Sequence, residues 1–123
     1  MPTPAYMFDN FFHAYLSCAL WSSIDDDGEP LDGLFTIDDI SEESLNQMRR
    51  DCEAFFVDYG HLFRHAEERA GHDFWLTRNR HGAGFWDRPE FYGEQEAKEL
   101  THASHAYGEA YLMVDENNWI HHA

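Results

Sequence analysis

The sequence predicts an α+β domain. Two N-terminal helices, one of them long, pack on a small antiparallel sheet of two hairpins, and a third helix lies between the hairpins. Three observations carry this expectation. Apolar residues from Leu45 to Ala66 recur in alternating steps of three and four, the period of one helix face. Aromatic runs at residues 74–76 and 85–86 flank a polar segment closed by Gly82 and Gly84, the pattern of a β-hairpin. Residues 110–114 and 119–121 read as strands on either side of the turn former Asp115-Glu116-Asn117-Asn118.

Asp9 is placed to cap a first helix that runs to about residue 21. Phe8, Phe11, Phe12, Tyr15, Leu16, Ala19 and Leu20 fall at helical spacing and give it one wide apolar face. Residues 22–33 combine Gly28, Pro30 and Gly33 with clustered Asp, which is turn chemistry, so they read as a surface loop. Ser41 reads as the N-cap of the second helix, with Glu42 and Glu43 in the first turn, where the helix dipole favours acids. Ile40 and Leu45 form a hydrophobic staple across that cap. Leu45, Met48, Cys52, Phe55, Tyr59, Leu62 and Ala66 make one seam on a helix of about 28 residues, roughly 40 Å long, with a bend allowed at Gly60 and a stop at Gly71. The seam is expected to pack on the first helix and the sheet. A coiled-coil dimer through it is the alternative, disfavoured because Phe56 and Phe63 widen the stripe. The first hairpin then occupies residues 70–88. Ala97, Leu100, Ser104 and Tyr107 mark a third helix over about residues 94–107, stopped by Gly108. The second hairpin follows.

With 123 residues the chain reads as one domain, 1–123. Its radius of gyration would be about 14 Å and its diameter about 35 Å. Aromatic residues are 16% of the chain, so the core is built from rings and the chain as a whole is not disordered. Cys18 and Cys52 are too few for a disulfide scaffold and read as reduced core thiols. There is no basic stretch followed by an apolar one at the start, and no apolar run nears the roughly 18 residues of a membrane span, so the expected location is the cytoplasm.

The formal net charge is −16. Residues 1–60 hold 13 acids against Arg49 and Arg50, a net of −11, and residues 61–123 hold 11 acids against six bases, a net of −5. Such a field repels nucleic acid, anionic membranes and acidic proteins, and attracts basic protein surfaces. Nine acids cluster between residues 25 and 43: Asp25, Asp26, Asp27, Glu29, Asp32, Asp38, Asp39, Glu42 and Glu43. Duplex DNA carries one charge per about 1.7 Å of axis, so a 35 Å length presents roughly 20. The net charge of this chain is of similar density. The partner expected from that comparison is the basic nucleic-acid groove of another protein, and those nine residues are the candidate partner-binding set. A merely solvated acidic loop is the bland alternative.

Other constellations are weaker. Asp25, Asp27 and Gly28 match part of an EF-hand loop, but Leu34 stands where the bidentate Glu is needed. His61 with His65, and His102 with His105, are helix-spaced pairs without the third and fourth zinc ligands. No metal and no cofactor is therefore expected. Arg78, Arg88 and His81 are a candidate anion-binding set in the first hairpin. Their structural reading, pairing with Asp73, Asp87 or helix carboxylates and stacking on Trp75 and Trp86, is favoured over it. No phosphate loop occurs, and no nucleophile is placed beside a base, so the chain is not expected to be an enzyme.

Ala19-Leu20-Trp21-Ser22-Ser23 followed by residues 25–32, and the string His72-Asp73-Phe74-Trp75-Leu76-Thr77-Arg78-Asn79 continuing through His81-Gly82-Ala83-Gly84-Phe85-Trp86-Asp87-Arg88, are distinctive. With Tyr107-Gly108-Glu109 and residues 111–115, they resemble a family of small acidic bacteriophage and mobile-element proteins of unassigned function. Members of that family often carry Gly where this chain has Arg80. The resemblance implies a phage context and supplies no mechanism. Context and charge together give the expected function: a phage-type inhibitor, anti-CRISPR or anti-restriction in kind, that mimics nucleic acid in a host protein's groove as a monomer or weak homodimer. The alternatives are a small anion-binding module or enzyme at the Arg/His set, and a helix-mediated interaction subunit.

Overall fold

Helix formation begins earlier than Asp9 suggests. In the computed structural model, which describes residues 4–123, α1 spans Ala5–Ser22 with Pro4 as its cap and no side-chain cap bond. Packing of Phe8 explains the extra turn: its ring lies 5.7 Å from Phe12 and 5.6 Å from Phe56. Four further helices follow, α2 at Glu42–Tyr59, α3 at Glu67–Arg78, α4 at Pro89–Tyr92 and α5 at Glu94–His105. Strands β1, Leu112–Val114, and β2, Ile120–His122, pair antiparallel with Met113 opposite His121. Among the described residues the molecule is mostly helical, with this one small sheet.

The Ser41 cap is present, its Oγ accepting from the Ser44 amide at 3.3 Å. The long second helix is not. α2 stops at Tyr59, a 3-10 turn covers Gly60–Leu62, and His65 adopts a φ of 66° before α3 starts. The seam misled because Leu62, Phe63 and Ala66 enter the same core from the turn, so the helical period runs on across a break in the helix. Met48, Cys52 and Phe55 are fully buried in the chain's own core. The seam is therefore consumed within one molecule, which removes it as a dimer surface.

The hairpin expected at residues 70–88 is a second correction. Residues up to Arg78 are α3, and Phe85–Asp87 form a 3-10 turn. Ala70, Gly71, Asp73, Phe74, Trp75, Leu76, Thr77 and Arg78 are all buried. From Asp73 to Arg78 every residue is buried, so this stretch lacks a polar stripe and reads as a plain apolar run, which periodicity alone cannot distinguish from a strand. Gly71 is not a helix stop either. It sits inside α3 where α1 crosses, and a Cβ there would overlap the Phe11 carbonyl. The third predicted helix is α5, ending at His105, and Gly108 follows with φ 75°. The last hairpin is present as β1 and β2.

Stacked rings fill the centre. Phe55 lies on Phe74 with centroids 4.0 Å apart, Phe11 on Phe63 at 5.3 Å, and Phe85 meets Tyr92 edge-on at 5.1 Å. Both cysteines are free and buried, as the composition predicts.

Two effects oppose each other at Gly71. Helix propensity makes Gly→Ala favourable by about 1 kcal/mol, while forcing a methyl into a packed contact costs about 1–3 kcal/mol. The neighbour here is backbone, which yields least, so Gly71→Ala should lower unfolding stability by about 2 kcal/mol in urea melts. A stabilised variant would mean that α1 and α3 are not in close contact.

Candidate functional site

Seven of the nine carboxylates lie on a strap that is irregular but tied down, and Glu42 and Glu43 follow it in the first turn of α2. The Leu31 amide donates to Ser23 O at 3.0 Å, and the Asp25 amide donates to Glu29 O at 2.9 Å. Asp25 Oδ1 accepts from the amides of Asp27 and Glu29, both at 2.9 Å. Gly28, with φ 82°, lets the turn close. A 3-10 turn at Leu31–Gly33 plugs Leu31 fully into the core, and a second at Ile37–Asp39 is capped by Asp39 Oδ2 accepting from the Thr36 amide at 2.8 Å. The strap ends on the sheet: Ile40 bridges Ile120 in parallel, and the Ser41 amide donates to Ile120 O at 2.9 Å.

Two carboxylates, Asp25 and Asp39, thus serve their own turns and are half-buried; the other seven are exposed. Among the described residues none of the nine lies within ion-pair distance of a cationic side chain. No group of three or more His, Cys, Asp or Glu among those residues has the geometry to hold a metal ion.

The cationic side chains point elsewhere. Arg78 is buried, 4% exposed, and donates to Asp51 Oδ2 at 2.9 Å, to the Tyr15 hydroxyl at 3.0 Å, and to the carbonyls of Gly108 and Tyr107 at 2.9 and 3.1 Å. Burial alone would weaken its hold on the proton, but Tyr15 and Asp51 reverse that and raise it above its ordinary value. Burial likewise pushes the Tyr15 phenol far up. Arg88 Nε lies 3.1 Å from Asp73 Oδ2, whose carboxylate is fully buried and also accepts from the Tyr92 hydroxyl at 2.6 Å. Arg49 covers the ring of Phe12 at 4.6 Å and Arg69 that of Phe91 at 4.7 Å.

Arg78, Arg88 and His81 are therefore not brought together. Arg78 is core. His81 is exposed beside a shallow groove that it shares with Asn79, Ile24 and Tyr111. Arg88 borders a cleft of about 690 Å³ between α1, α3 and α4, together with His13, His65, Arg69, His72 and Phe91. Of the expected structural partners, Asp73 and a helix carboxylate, Asp51, are used; the ring stacked under Arg78 is Phe74, at 5.8 Å, together with Tyr107 at 5.7 Å. Both thiols are buried, and burial pushes Cys18 up to about 12 and Cys52 also well above its usual value, which disfavours the thiolate form.

Sequence reasoning named Asp73 and helix carboxylates as partners for Arg78 and Arg88 but did not single out Asp51, nor which arginine each acid would hold. Each is an acid set directly beside a core position, Cys52 and Phe74, and that adjacency was the available signal. Compared with protein-family models, curated proteins and solved structures, the chain has no match.

Removing one partner of a buried pair leaves the other charge uncompensated and costs about 3 kcal/mol or more. Asp51→Ala should destabilise by about that amount in chemical denaturation, while Arg50→Ala, on the exposed face, should stay within about 0.5 kcal/mol. Equal effects would remove the interior role of Asp51.

His122 supplies a pH test. Its Nε2 is buried without a hydrogen-bond partner among the described residues, and burial, then the charge of Arg78, hold it below the ordinary 6.5 against a smaller opposing effect of Asp51. His105, lowered by burial, Arg80 and His102, acts in the same sense. The unfolded chain takes up these protons first, so the stability is complete above 6.5 and is lost as pH falls below it. The urea midpoint should fall between pH 7.5 and pH 5.5, and His122→Gln should flatten that slope. An unchanged slope in the variant would show that His122 is not the group titrating.

Proposed function

We propose that this protein is a non-enzymatic, phage-type inhibitor that presents the strap carboxylates to the basic nucleic-acid groove of a host defence or DNA-processing protein. One observation carries the reading: seven exposed carboxylates, five on a strap fastened at both ends and two in the first turn of α2, have no ion-pair partner among the described residues. Self-repulsion at this charge opposes folding, so an unpaired acidic face has a cost that binding a cationic surface offsets. Complementary fields accelerate encounter, and desolvated carboxylate–Arg pairs slow release. A strap already ordered loses little conformational entropy on docking.

A second reading is favoured by the cleft beside α3. Arg69 and Arg88 meet His13, His65 and His72 around it. A small oxyanion would use these donors, although Glu67 and Glu68 on the same rim oppose it. Histidine ring signals unmoved by millimolar inorganic phosphate would dismiss this reading.

The inhibitor reading is tested by competition. Purified restriction endonucleases and CRISPR effector complexes are each loaded with a fluorescent 30-base-pair duplex (about 100 Å long) and titrated with the protein at several salt concentrations. The expected result is displacement of duplex from at least one enzyme, with affinity falling steeply as salt rises. The variant Asp25→Asn, Asp26→Asn, Asp27→Asn, Glu29→Gln, Asp32→Asn should displace it at least about tenfold less well. Displacement that is indifferent to salt, or that survives the five substitutions, would end the proposal.

A further inference from the structure

All eight Lys and Arg lie between residues 49 and 98. The two flanking segments, 1–48 and 99–123, contain neither residue, yet residues 25–43 and 109–116 together hold half of the 24 acids. The fold joins these segments. Besides the Ile40–Ile120 bridge, the His122 amide donates to Ser44 Oγ at 2.8 Å, and Ile24 and Tyr111 border one groove. Strap and hairpin are thus one continuous surface.

The hairpin face on that surface is not polar. Strand alternation puts Leu112 and Ile120 in the core and turns Tyr111, Met113 and Trp119 outward, 60%, 55% and 48% exposed. Met113 stands directly opposite His121, whose Nε2 lies 2.6 Å from Asp115 Oδ2. Trp119 and Asp115 are tied together across the turn, the Asp115 amide donating to Trp119 O at 2.9 Å and the Asp115 side-chain Oδ1 accepting from the Trp119 amide at 2.9 Å. Two large rings and a methionine, rimmed by carboxylates, have the composition of an interface centre and not of a solvated edge.

We propose that the outward face of the terminal hairpin is the aromatic half of the partner-binding surface, and that it receives arginine side chains of a basic protein, stacked on Trp119 and Tyr111 within a carboxylate rim. The inference rests on the inhibitor reading and names the chemistry of the partner. Charge decides the occupant: the rim repels anionic lipid, nucleic acid and a second copy of this acidic chain. Arginine is preferred to lysine because a guanidinium is planar, weakly hydrated and able to lie on a ring while its edge meets a carboxylate. Arg49 on Phe12 and Arg69 on Phe91 show the same stacking within the chain, and among the described residues no arginine covers Tyr111 or Trp119.

The test uses the intact protein labelled with nitrogen-15 and two probes, hexa-arginine and hexa-lysine peptides, followed by NMR. Two exposed stacks should make the arginine peptide bind roughly fivefold tighter or more. The Trp119 indole signal should move with it and stay nearly still with the lysine peptide. Tyr111→Ser with Trp119→Ser should erase the preference and leave weak, salt-sensitive binding of both peptides. Equal affinities for the two peptides, or an indole signal indifferent to both, overturns the proposal, and neither result depends on how the double variant folds. A concentration-dependent dimer that shields Trp119 in sedimentation also overturns it. The strap variant separates the two ideas: it should weaken both peptides alike and keep their ratio. Undiminished lysine-peptide binding by that variant would instead count against the acidic strap.

Discussion

The buried guanidinium of Arg78 is the interaction on which the rest of the molecule depends. It sits at the last residue of α3 and binds Tyr15 of α1, Asp51 of α2, and two carbonyls in the segment leading to β1. Four separate parts of the chain thereby meet at one planar cation. Taking such a charge out of water is expensive, and several fixed acceptors are needed before it is tolerated. Each acceptor also has a place to keep: Tyr15 lies edge-on to Trp75, 5.4 Å away, and Asp51 also accepts from Gln47 at 3.1 Å. Because the cation requires all of them, it fixes how the helices and the terminal hairpin sit together.

The same arrangement sharpens the contrast between inside and outside. Arg78 and Arg88 are held by interior carboxylates, and Arg49 and Arg69 lie over rings. Half of the eight Lys and Arg are thus held on interior carboxylates or over rings. Among the described residues the acids of the strap have no ion-pair partner and the hairpin's Asp115 meets only His121, on a backbone that the aromatic core and the 3-10 turns keep rigid. Stiffness and uncompensated charge are separate properties, and this fold supplies both to one face.

Local chemistry was legible where side chains act on their own backbone. Ser41 as a cap, the turn residues around Gly28 and Pro30, α5 up to Gly108, and the closing hairpin all follow from short-range rules. Tertiary burial hid the rest. The second half of α3 is buried at every residue from Asp73 to Arg78, so Phe74-Trp75-Leu76 resembled a strand, and Gly71 looked like a stop because its real task, admitting the α1 backbone, involves a residue 60 positions away, Phe11. For the candidate site, the acids of the strap and the internal pairing of the arginines could be named from the sequence, whereas the particular partners of Arg78 could not, since nothing local links it to Tyr15 or Asp51. Arg80 is an instructive intermediate. Its φ of 57° lies in the left-handed region that favours glycine, a preference of which an arginine at this position gives no sign.

The seam between strap and hairpin has a kinetic side. Ser44 and His122, which tie the two together, are 78 positions apart in the chain. Helices form from neighbours, but closing so large a loop demands that most of the core already be in place. The joined surface is accordingly among the last features to assemble, and an unfinished or partly melted chain carries the same charge without the same shape. Recognition by such a surface reports on completed folding.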